Sequence, residues 1–436
     1  MAPRQTCSPE QEEEFRRIVE ACFRREAGSS APFPNETADL IETGVLDSMA
    51  WVSFLRAVET ASGISDLGSG LNERPATIAS VLEAMRDAGS PLDSGDPQEG
   101  RTKTFTASTV FLTASSSVQG SRVVPSEEVD RAFGMPVGKL RGRAGIESLA
   151  YAAEGENELV LGARAAEEAL RRGSCGAQEL DWIIVTSETH HNYPSLSAEL
   201  HSRLLVRENC GALDVGGACL GLLNALAVAQ SLIGAGQAQT VMVVTADVHS
   251  RTLTPGRVAG EFGGLFGDGA SAFILRSAAG GDSHEFYRLG EFIFGCASQY
   301  AAAIQVSDSK DGVLGVQFDG EALSRAVITR MEKVLASIEQ RSGIPRGSVD
   351  GFATHQPNPR LVALLAKQCG VSPALFPPVA RISGNLGSST CGAALHEALR
   401  SASKKPRGER RPIFVASLGP GLLFGGGWLT PRENRK

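Results

Sequence analysis

A cysteine, a histidine and an asparagine each stand at the start of a predicted helix, and together they could carry out acyl transfer. Cys219 follows the small residues DVGGA and precedes an apolar run that predicts a buried helix. His355 precedes a second apolar helix, and Asn385 lies in a glycine-rich turn that opens a third. Cysteine is a nucleophile, and its thiolate is also a good leaving group from a thioester. Histidine and asparagine N–H groups can stabilise an enolate or oxyanion. We therefore expect the three turns to meet at one site.

The position of Cys219 bears on the reactivity of its thiol. At a helix start, free backbone N–H groups and the positive end of the helix dipole favour a thiolate over a thiol. The alternative is a buried structural cysteine, since cysteine is among the most buried residue types. His355 could likewise be a core histidine, and Asn385 a turn residue. The presence of all three in this order favours the catalytic interpretation.

The motifs around these residues resemble the ketoacyl synthase III branch of the thiolase superfamily over about residues 105–430. The motifs are HQPN at His355, GN at Asn385, FGDGASAFIL at 266–275 and LGPGLLFGGGWL at 418–429. The resemblance implies a duplicated α/β fold of five layers, αβαβα, with Cys219 from the first half and the other two residues from the second. It also implies a homodimer and an acyl-cysteine intermediate.

The composition of the chain limits the kinds of protein that it can be. With 436 residues, a net charge of −7 and a pI near 5.7, it is long enough for several domains and too acidic to favour nucleic acid or an anionic membrane. No apolar run reaches 18 residues and no apolar signal region begins the chain, so we expect a cytoplasmic protein. Its eight cysteines form no C-x-x-C pair and its seven histidines no HExxH motif, so we expect reduced thiols and no metal site.

The first 88 residues predict a small all-α helical bundle. An amphipathic helix is predicted over 11–26, and an apolar helix follows Asp47 and Ser48, which are first of all candidates for a helix N-cap. Residues 1–88 also resemble an acyl carrier protein, whose D-S-L/M motif is present as Asp47-Ser48-Met49. That resemblance implies that a phosphopantetheinyl transferase esterifies Ser48 with 4′-phosphopantetheine, and a helix N-terminus favours such a phosphodiester.

The rest of the chain predicts one synthase in two halves. Residues 89–104 are polar and contain Gly and Pro, which predicts a flexible linker. After it strands and helices alternate, as in a layered α/β domain. ACLGLLNAL and STCGAAL each open a helix with small residues, which is a weak internal repeat. We therefore expect an N-terminal half over 105–278 and a C-terminal half over 279–436.

The resemblance also suggests three residues for the substrate and pantetheine channel. Family members that use coenzyme A starters commonly have a Trp four residues before an Arg, and here Arg143 keeps the Arg position but Lys139 replaces the Trp. Arg360, in HQPNPR, is suited to a phosphate or an acidic carrier. Tyr193 falls where the family has a large residue from the dimer partner that limits the acyl pocket. These features favour acyl thioesters on a carrier protein over free acyl-CoA.

Two further positions concern the chemistry itself. The family's middle glycine in a G-x-G motif donates a backbone N–H to the oxyanion hole, but Pro420 has none. We expect Gly421, or alternatively Gly419, to replace it beside the N–H of Cys219.

Glu188 lies 31 residues before the cysteine, a spacing similar to that of the general base in the related hydroxymethylglutaryl synthases. A partly desolvated cleft would raise the pKa of this carboxyl and make it a base; the alternative is a solvated glutamate at a strand end.

The sequence therefore predicts a carrier protein fused to a ketosynthase III-like condensing enzyme of a polyketide or fatty-acyl pathway. Cys219 would take an acyl group, and a malonyl-type unit, on Ser48 of the same or the partner chain, would condense with it to a β-ketoacyl carrier thioester. Three alternatives stay open. They are an acyltransferase in which His355 activates an alcohol or amine, an aldol-type synthase that uses Glu188, and a non-catalytic scaffold that docks partners.

Overall fold

The chain divides into two compact units, residues 1–105 with 319–329 and the remaining residues. The structure, a computed structural model, describes residues 9–28, 32–64, 67, 71, 75–88, 109–258, 260–277, 287–308, 314–318 and 320–432. The predicted linker over 89–104 lies outside these ranges. The domain boundaries expected from the sequence stay a prediction.

The described part of residues 1–88 in the first unit contains three helices with a common apolar core. They are α1 (Pro9–Ala27), α2 (Ser48–Ser62) and α3 (Ile78–Ala88). Phe23 and Phe54 pack edge to face with ring centroids 6.2 Å apart, and Trp51 lies 5.5 Å from Phe54. All three rings are at most 1% exposed. The helices form as the sequence predicts because their apolar side chains recur at helical spacing and meet in this core.

Asp47 caps the second helix. Its Oδ1 accepts a hydrogen bond from the Ala50 N–H at 2.8 Å, and its carbonyl accepts one from the Trp51 N–H at 2.9 Å. The N-cap interpretation therefore holds for Asp47. Ser48 follows as the first residue of α2.

The remainder of the chain alternates strands and helices, as the sequence predicts. The strands are β1 (Val110–Gln119), β2 (Arg122–Pro125), β3 (Ser148–Tyr151), β4 (Trp182–Thr186), β5 (Gly211–Asp214), β6 (Thr240–Val248), β7 (Asp268–Ser277), β8 (Tyr287–Cys296), β9 (Ile304–Asp308), β10 (Leu314–Phe318), β11 (Gly351–Thr354), β12 (Ile413–Gly419) and β13 (Leu423–Pro431). The helices are α4 (Ser126–Ala132), α5 (Glu158–Arg172), α6 (Leu196–Arg203), α7 (Gly221–Gly234), α8 (His249–Thr252), α9 (Gly260–Gly264), α10 (Gly320–Ser342), α11 (Pro359–Gln368), α12 (Val379–Ser383) and α13 (Ser388–Ser403). None of the helices in the described ranges is both long and apolar enough to cross a membrane.

Nine of the strands form one mixed sheet in the order β11-β12-β13-β8-β1-β7-β6-β4-β5. Strand β6 is buried along its whole length, because its apolar and small side chains are covered on both faces. Strand β1 pairs antiparallel with β7 and, through Phe111–Arg288 and Leu112–Tyr287, with β8. This short pairing joins the strands of the two predicted halves into one continuous sheet. The weak sequence repeat predicts two similar halves but does not indicate that their strands pair.

The helices pack on the sheet as in a layered α/β domain, and the five-layer order αβαβα stays a prediction. Helices α7 and α13 contribute Leu223 and Leu395 to a central core that also takes Val243 of β6 and Val415 of β12. Helices α5 and α6 cover the opposite face of β4, β6 and β7. Helix α10 packs on β13 at Gly426, where an added Cβ would lie 2.6 Å from a methyl group of Val334. Helix α7, which follows Cys219, and helix α13, which follows Asn385, therefore share one core.

Candidate active site

Cys219 lies in a tight turn immediately before α7. The turn, Ala218–Leu220, follows Gly217, whose φ is 129°, and Ala218 itself has a φ of 48°. A left-handed alanine is strained, and such strain persists only where the surrounding structure holds it. The Ser417 hydroxyl donates to the Cys219 carbonyl at 2.6 Å, which ties the turn to β12. Cys219 is 9% exposed. It is therefore buried between the sheet and the helix, directly before the helix start that the sequence predicts.

His355 follows the last residue of β11. Its backbone N–H donates to the Ala416 carbonyl of β12 at 3.2 Å, and the residue is 9% exposed. Burial lowers the pKa of His355 to about 4, although the charge of Glu188 and a hydrogen bond to the Gly387 backbone act against this shift. The imidazole is therefore neutral near pH 7 and has one N–H to donate.

Asn385 is fixed by hydrogen bonds at both its backbone and its side chain. Its N–H donates to the Leu265 carbonyl at 2.8 Å. Its side-chain Oδ1 accepts from the Gly387 N–H and the Thr390 hydroxyl, both at 3.0 Å. The Leu386 N–H donates to Thr390 Oγ1 at 2.7 Å, so that hydroxyl acts as a donor toward Asn385. With Oδ1 occupied, the Nδ2 hydrogens of Asn385 stay available for a ligand.

Glu188 connects the cysteine to the other two residues. Its charge acts on the pKa of both the Cys219 thiol and the His355 imidazole. His355 in turn contacts the backbone of Gly387, which donates to Asn385. The structure therefore brings Cys219, His355, Asn385 and Glu188 together. The alternative of a solvated glutamate is wrong, since the Glu188 side chain is only 14% exposed.

The electrostatics of Glu188 differ from the sequence expectation. Burial by itself would raise the pKa of Glu188, but a hydrogen bond from His249 and the charges of His249 and His355 bring it below its ordinary value. His249 Nε2 lies 3.6 Å from Glu188 Oε2. The predicted rise in the pKa of Glu188 is therefore wrong, because the sequence argument omitted a cation from a distant strand end. Glu188 is ionised at neutral pH.

The thiol also differs from expectation. Burial, followed by the charge and hydrogen bond of Glu188 and the charge of Asp247, raises the pKa of Cys219 well above its ordinary value. The expected thiolate is therefore wrong for the unliganded site. The dipole of a helix start falls off within one turn, and here burial and two carboxylates outweigh it. Cys219 needs a proton acceptor when it reacts.

Two site residues, Asp247 and His249, were not predicted. Asp247 is fully buried, and its carboxylate accepts from the Glu188 N–H and the Ser388 hydroxyl, both at 2.6 Å. Burial and the charge of Glu188 raise the pKa of Asp247 to about 6. His249 stacks on Phe266 with ring centroids 4.6 Å apart. The signal for both was the run TVMVVTADVH, in which a buried strand ends in titratable residues.

The glycines expected to form an oxyanion hole lie after β12. Gly421 has a φ of 77° within the turn Pro420–Leu422, and its carbonyl accepts from the Cys296 thiol at 3.5 Å. Gly419 lies closer to the nucleophile turn, since a Cβ added to it would stand 3.7 Å from the Cys219 nitrogen. The pairing of the N–H groups of Cys219 and Gly421 in an oxyanion hole stays a prediction, with Gly419 as the alternative.

The predicted channel residues lie on the surface. Arg143 and Arg360 are both exposed, and their segments meet where a Cβ added to Gly145 would stand 3.2 Å from Pro359. Tyr193 is 97% exposed in the single chain. The structure thus brings the segments of the two arginines together, and the roles of all three residues stay predictions.

Comparison with known proteins provides a separate line of support. The family described as 3-oxoacyl-acyl-carrier-protein synthase III matches residues 213–290, and its C-terminal domain matches 340–430. The β-ketoacyl-acyl-carrier-protein synthase III of Haemophilus ducreyi is 30% identical over 292 residues, 66% of this chain and 86% of the relative. That of Rhodospirillum rubrum is 30% identical over 295 residues, 66% of this chain and 88% of the relative. The structure of FabH, a 3-oxoacyl-acyl-carrier-protein synthase III from Pseudomonas aeruginosa PAO1, shares the fold with a TM-score of 0.65 over 74% of this chain and 99% of its own, at 23% identity.

A cysteine at the start of a buried helix, brought together with a histidine and an asparagine on this α/β fold, fits a condensing enzyme of the thiolase type. Such enzymes belong to the acyltransferase class. The identity to the two bacterial relatives narrows the class: this chain belongs to the 3-oxoacyl-acyl-carrier-protein synthase III family.

Proposed function

We propose that the protein forms a β-ketoacyl thioester on a carrier by decarboxylative Claisen condensation at Cys219. The observations that support this reaction best are that His355 is neutral and that Asn385 Oδ1 is already occupied, which leaves its Nδ2 hydrogens available. Loss of carbon dioxide generates the carbanion, so the step needs donors for the enolate oxygen and no base at carbon. A protonated, charged imidazole is not required.

The reaction proceeds in two transfers. The Cys219 sulfur attacks an acyl thioester, the acyl carbon forms a new bond to sulfur, and the original thiol leaves with the cysteine proton. A malonyl-type thioester then loses carbon dioxide, and its enolate attacks the acyl-Cys219 carbonyl. The bond from carbon to the cysteine sulfur breaks, and the sulfur takes up one proton. His355 and Asn385 stabilise the enolate oxygen during this second transfer.

We also propose that the first 88 residues are an acyl carrier domain modified at Ser48 by a phosphopantetheinyl transferase. Ser48 suits the modification because it begins a helix directly after the capping Asp47. When attached, 4′-phosphopantetheine supplies a thiol that holds acyl groups as thioesters. These 88 residues contain 15 acidic and eight basic side chains, which account for the whole net charge of −7. The exposed Arg143 and Arg360 would attract such an acidic domain.

The assembly that we propose is a cytoplasmic homodimer. Tyr193 fits a dimer because its side chain is 97% exposed in one chain and is therefore accessible to a second copy. In the dimer Tyr193 would limit the acyl pocket of the partner. Sedimentation velocity of the full chain tests this, and a monomer at micromolar concentration would contradict it.

Intact-protein mass spectrometry tests the condensation. The phosphopantetheinylated full chain is loaded with a malonyl group and offered a series of acyl thioesters. We expect loss of carbon dioxide and a β-ketoacyl mass on the peptide of Ser48, and none in Cys219→Ala or Ser48→Ala. An acyl adduct on Cys219 beside an untouched malonyl group would contradict condensation and favour transfer to an alcohol or amine.

The aldol-type synthase is the second candidate, because an ionised Glu188 lies beside the cysteine. That reaction would join an acetyl unit to a ketone without release of carbon dioxide. The same mass measurement with an acetyl thioester and a β-ketoacyl carrier separates the two. A product heavier by an acetyl group and a water would favour the aldol reaction.

A further inference from the structure

Helix α13 begins without a cap of its own. Gly387, the residue before its first turn, has no side-chain oxygen that could accept a backbone N–H. The carboxylate of Asp247 takes this place from the end of β6. Its Oδ2 accepts from the Ser389 N–H at 3.2 Å, and from the hydroxyl groups of Ser388 at 2.6 Å and Ser389 at 3.3 Å. A negative charge at a helix start is favourable because it faces the positive end of the helix dipole.

The other oxygen of Asp247 holds the turn that follows β4. Its Oδ1 accepts from the Glu188 N–H at 2.6 Å and from the Ser187 hydroxyl at 3.5 Å. This turn and the start of α13 are in contact, since a Cβ added to Gly387 would stand 3.1 Å from both Asp247 Oδ2 and Glu188 Oε1. Asp247 is fully buried. It therefore bridges the end of β4 and the start of α13 from one fixed place in the sheet.

The first turn of α13 also orients the Asn385 amide. Thr390, in this turn, donates its hydroxyl to Asn385 Oδ1 at 3.0 Å, and the Gly387 N–H donates to the same oxygen. Thr390 directly follows the two serines that are bonded to Asp247. A displacement of the turn would therefore move both donors relative to Oδ1 and change the direction of the Nδ2 hydrogens. The bond from the Asn385 N–H to the Leu265 carbonyl fixes only the backbone.

We propose that Asp247 is a positioning residue for Asn385: it caps α13 and holds it against the turn after β4, which keeps the Asn385 Nδ2 hydrogens directed at the enolate oxygen. The inference rests on the proposed function, in which Asn385 stabilises that oxygen during condensation. In this role Asp247 neither touches the substrate nor transfers a proton. Its effect on the reaction passes through the Asn385 amide alone.

A double-mutant cycle tests the inference. In Asp247→Asn the side chain has one accepting oxygen in place of two, so either the Glu188 N–H or the start of α13 loses its acceptor. We expect the release of carbon dioxide from the malonyl-loaded full chain, after acylation of Cys219, to slow about tenfold, the effect of one lost hydrogen bond. In an Asn385→Ala background the same substitution should change this rate by less than about twofold, because the amide that Asp247 positions is gone.

Asp181→Asn is the matched control for the loss of a carboxylate. Asp181 Oδ2 accepts the N–H groups of Gln239 at 2.7 Å and Thr240 at 3.0 Å, at the opposite end of β6 from Asp247. This substitution should lower the urea midpoint and leave the release of carbon dioxide unchanged. The assay is run above the pKa of Asp247, which burial and the charge of Glu188 raise to about 6, so that the wild-type carboxylate is ionised.

Ser388→Ala is a milder variant that tests the inference if Asp247→Asn does not fold. It removes one donor to Asp247 Oδ2 and leaves the carboxylate in place. We expect the release of carbon dioxide to slow about threefold. The effect should again disappear in the Asn385→Ala background.

Equal slowing by Asp247→Asn with and without the Asn385 amide would overturn the inference, because it would show general damage to the fold. A wild-type rate in Asp247→Asn would also overturn it. Absence of carbon dioxide from the wild-type chain, or release at the wild-type rate in Asn385→Ala, would instead contradict the proposed function, and the inference would fail with it.

Discussion

Thr390 helps to fix which end of the Asn385 amide is available in the active site. Its hydroxyl accepts the Leu386 N–H at 2.7 Å and donates to Asn385 Oδ1 at 3.0 Å. The Gly387 N–H donates to the same oxygen. Two donors on Oδ1 leave the N–H groups of the amide for an enolate oxygen. At the scale of single residues, a hydroxyl outside the catalytic trio sets the polarity of the site.

Thr390→Val is expected to impair condensation and spare acylation. The valine keeps the shape but removes one of the two donors to Asn385 Oδ1, so the Gly387 N–H alone holds the amide in this orientation. We expect the condensation step to slow about tenfold, the effect of losing about 1.4 kcal/mol of hydrogen bonding, while acyl-Cys219 forms at the wild-type rate. Single-turnover mass spectrometry separates the two steps. Ser401→Ala, an exposed hydroxyl of the same helix, is the control, and equal slowing of both steps would contradict the argument.

At the scale of elements, the start of α7 is packed too tightly for any side chain. A Cβ added to Gly221 would stand 2.0 Å from Thr186 Oγ1 at the end of β4. This close approach of strand and helix sets the depth at which Cys219 lies. Because the turn is also tied to β12 through Ser417, a shift of the helix would strain the turn.

Gly221→Ala should therefore destabilise the synthase. Overpacking of this kind typically costs about 1–3 kcal/mol, and we expect a lower urea midpoint together with slower alkylation of Cys219. Gly216→Ala is the matched control, since a Cβ added there meets no atom within 4 Å. Thr186→Ala in the Gly221→Ala background should recover part of the loss. Equal midpoints for the two glycine variants would show that the contact does not fix the helix.

The sequence predicts the elements and the positions of Cys219, His355 and Asn385 because the signals are local. Cys219, His355 and Asn385 each combine a reactive or donating side chain with a helix start, and an apolar run identifies each helix. The pair of Asp247 and His249 lacks a local signal other than its place after a buried strand. Tertiary packing alone brings that strand end to Glu188. The directions of the pKa shifts of Glu188 and Cys219 depend on these contacts between distant parts of the chain, which the sequence does not reveal.

At the scale of the whole molecule, charge is divided unevenly. The first 88 residues carry the net charge of −7, and the remaining residues have equal numbers of acidic and basic side chains. A nearly neutral synthase would attract an acidic carrier only through local clusters of basic groups. Arg143 and Arg360 form one such candidate, because both are exposed and their segments are in contact.

Reversal of both charges tests this idea. In Arg143→Glu with Arg360→Glu, we expect the single-turnover rate of condensation from the carrier to fall about tenfold and to lose its dependence on salt. Acylation from an N-acetylcysteamine thioester, which has no phosphate or protein, should be unchanged. Arg411→Glu, exposed elsewhere, is the control. A loss of both activities would indicate a damaged fold instead of a weakened encounter.

The order of strands in the sheet has a consequence for synthesis of the protein on the ribosome. Strand β1 pairs with β7, more than 140 residues later, and β8 pairs with β13, which ends at Pro431. Pairings this remote form slowly, because the chain loses the entropy of closing a long loop before any stabilising contact forms. Helix α1 contacts both α2 and α3 within the first 88 residues, so these helices can fold as soon as they emerge. The nascent synthase therefore exposes unpaired strand edges until its last strand is made, and chaperone binding should be concentrated in that interval.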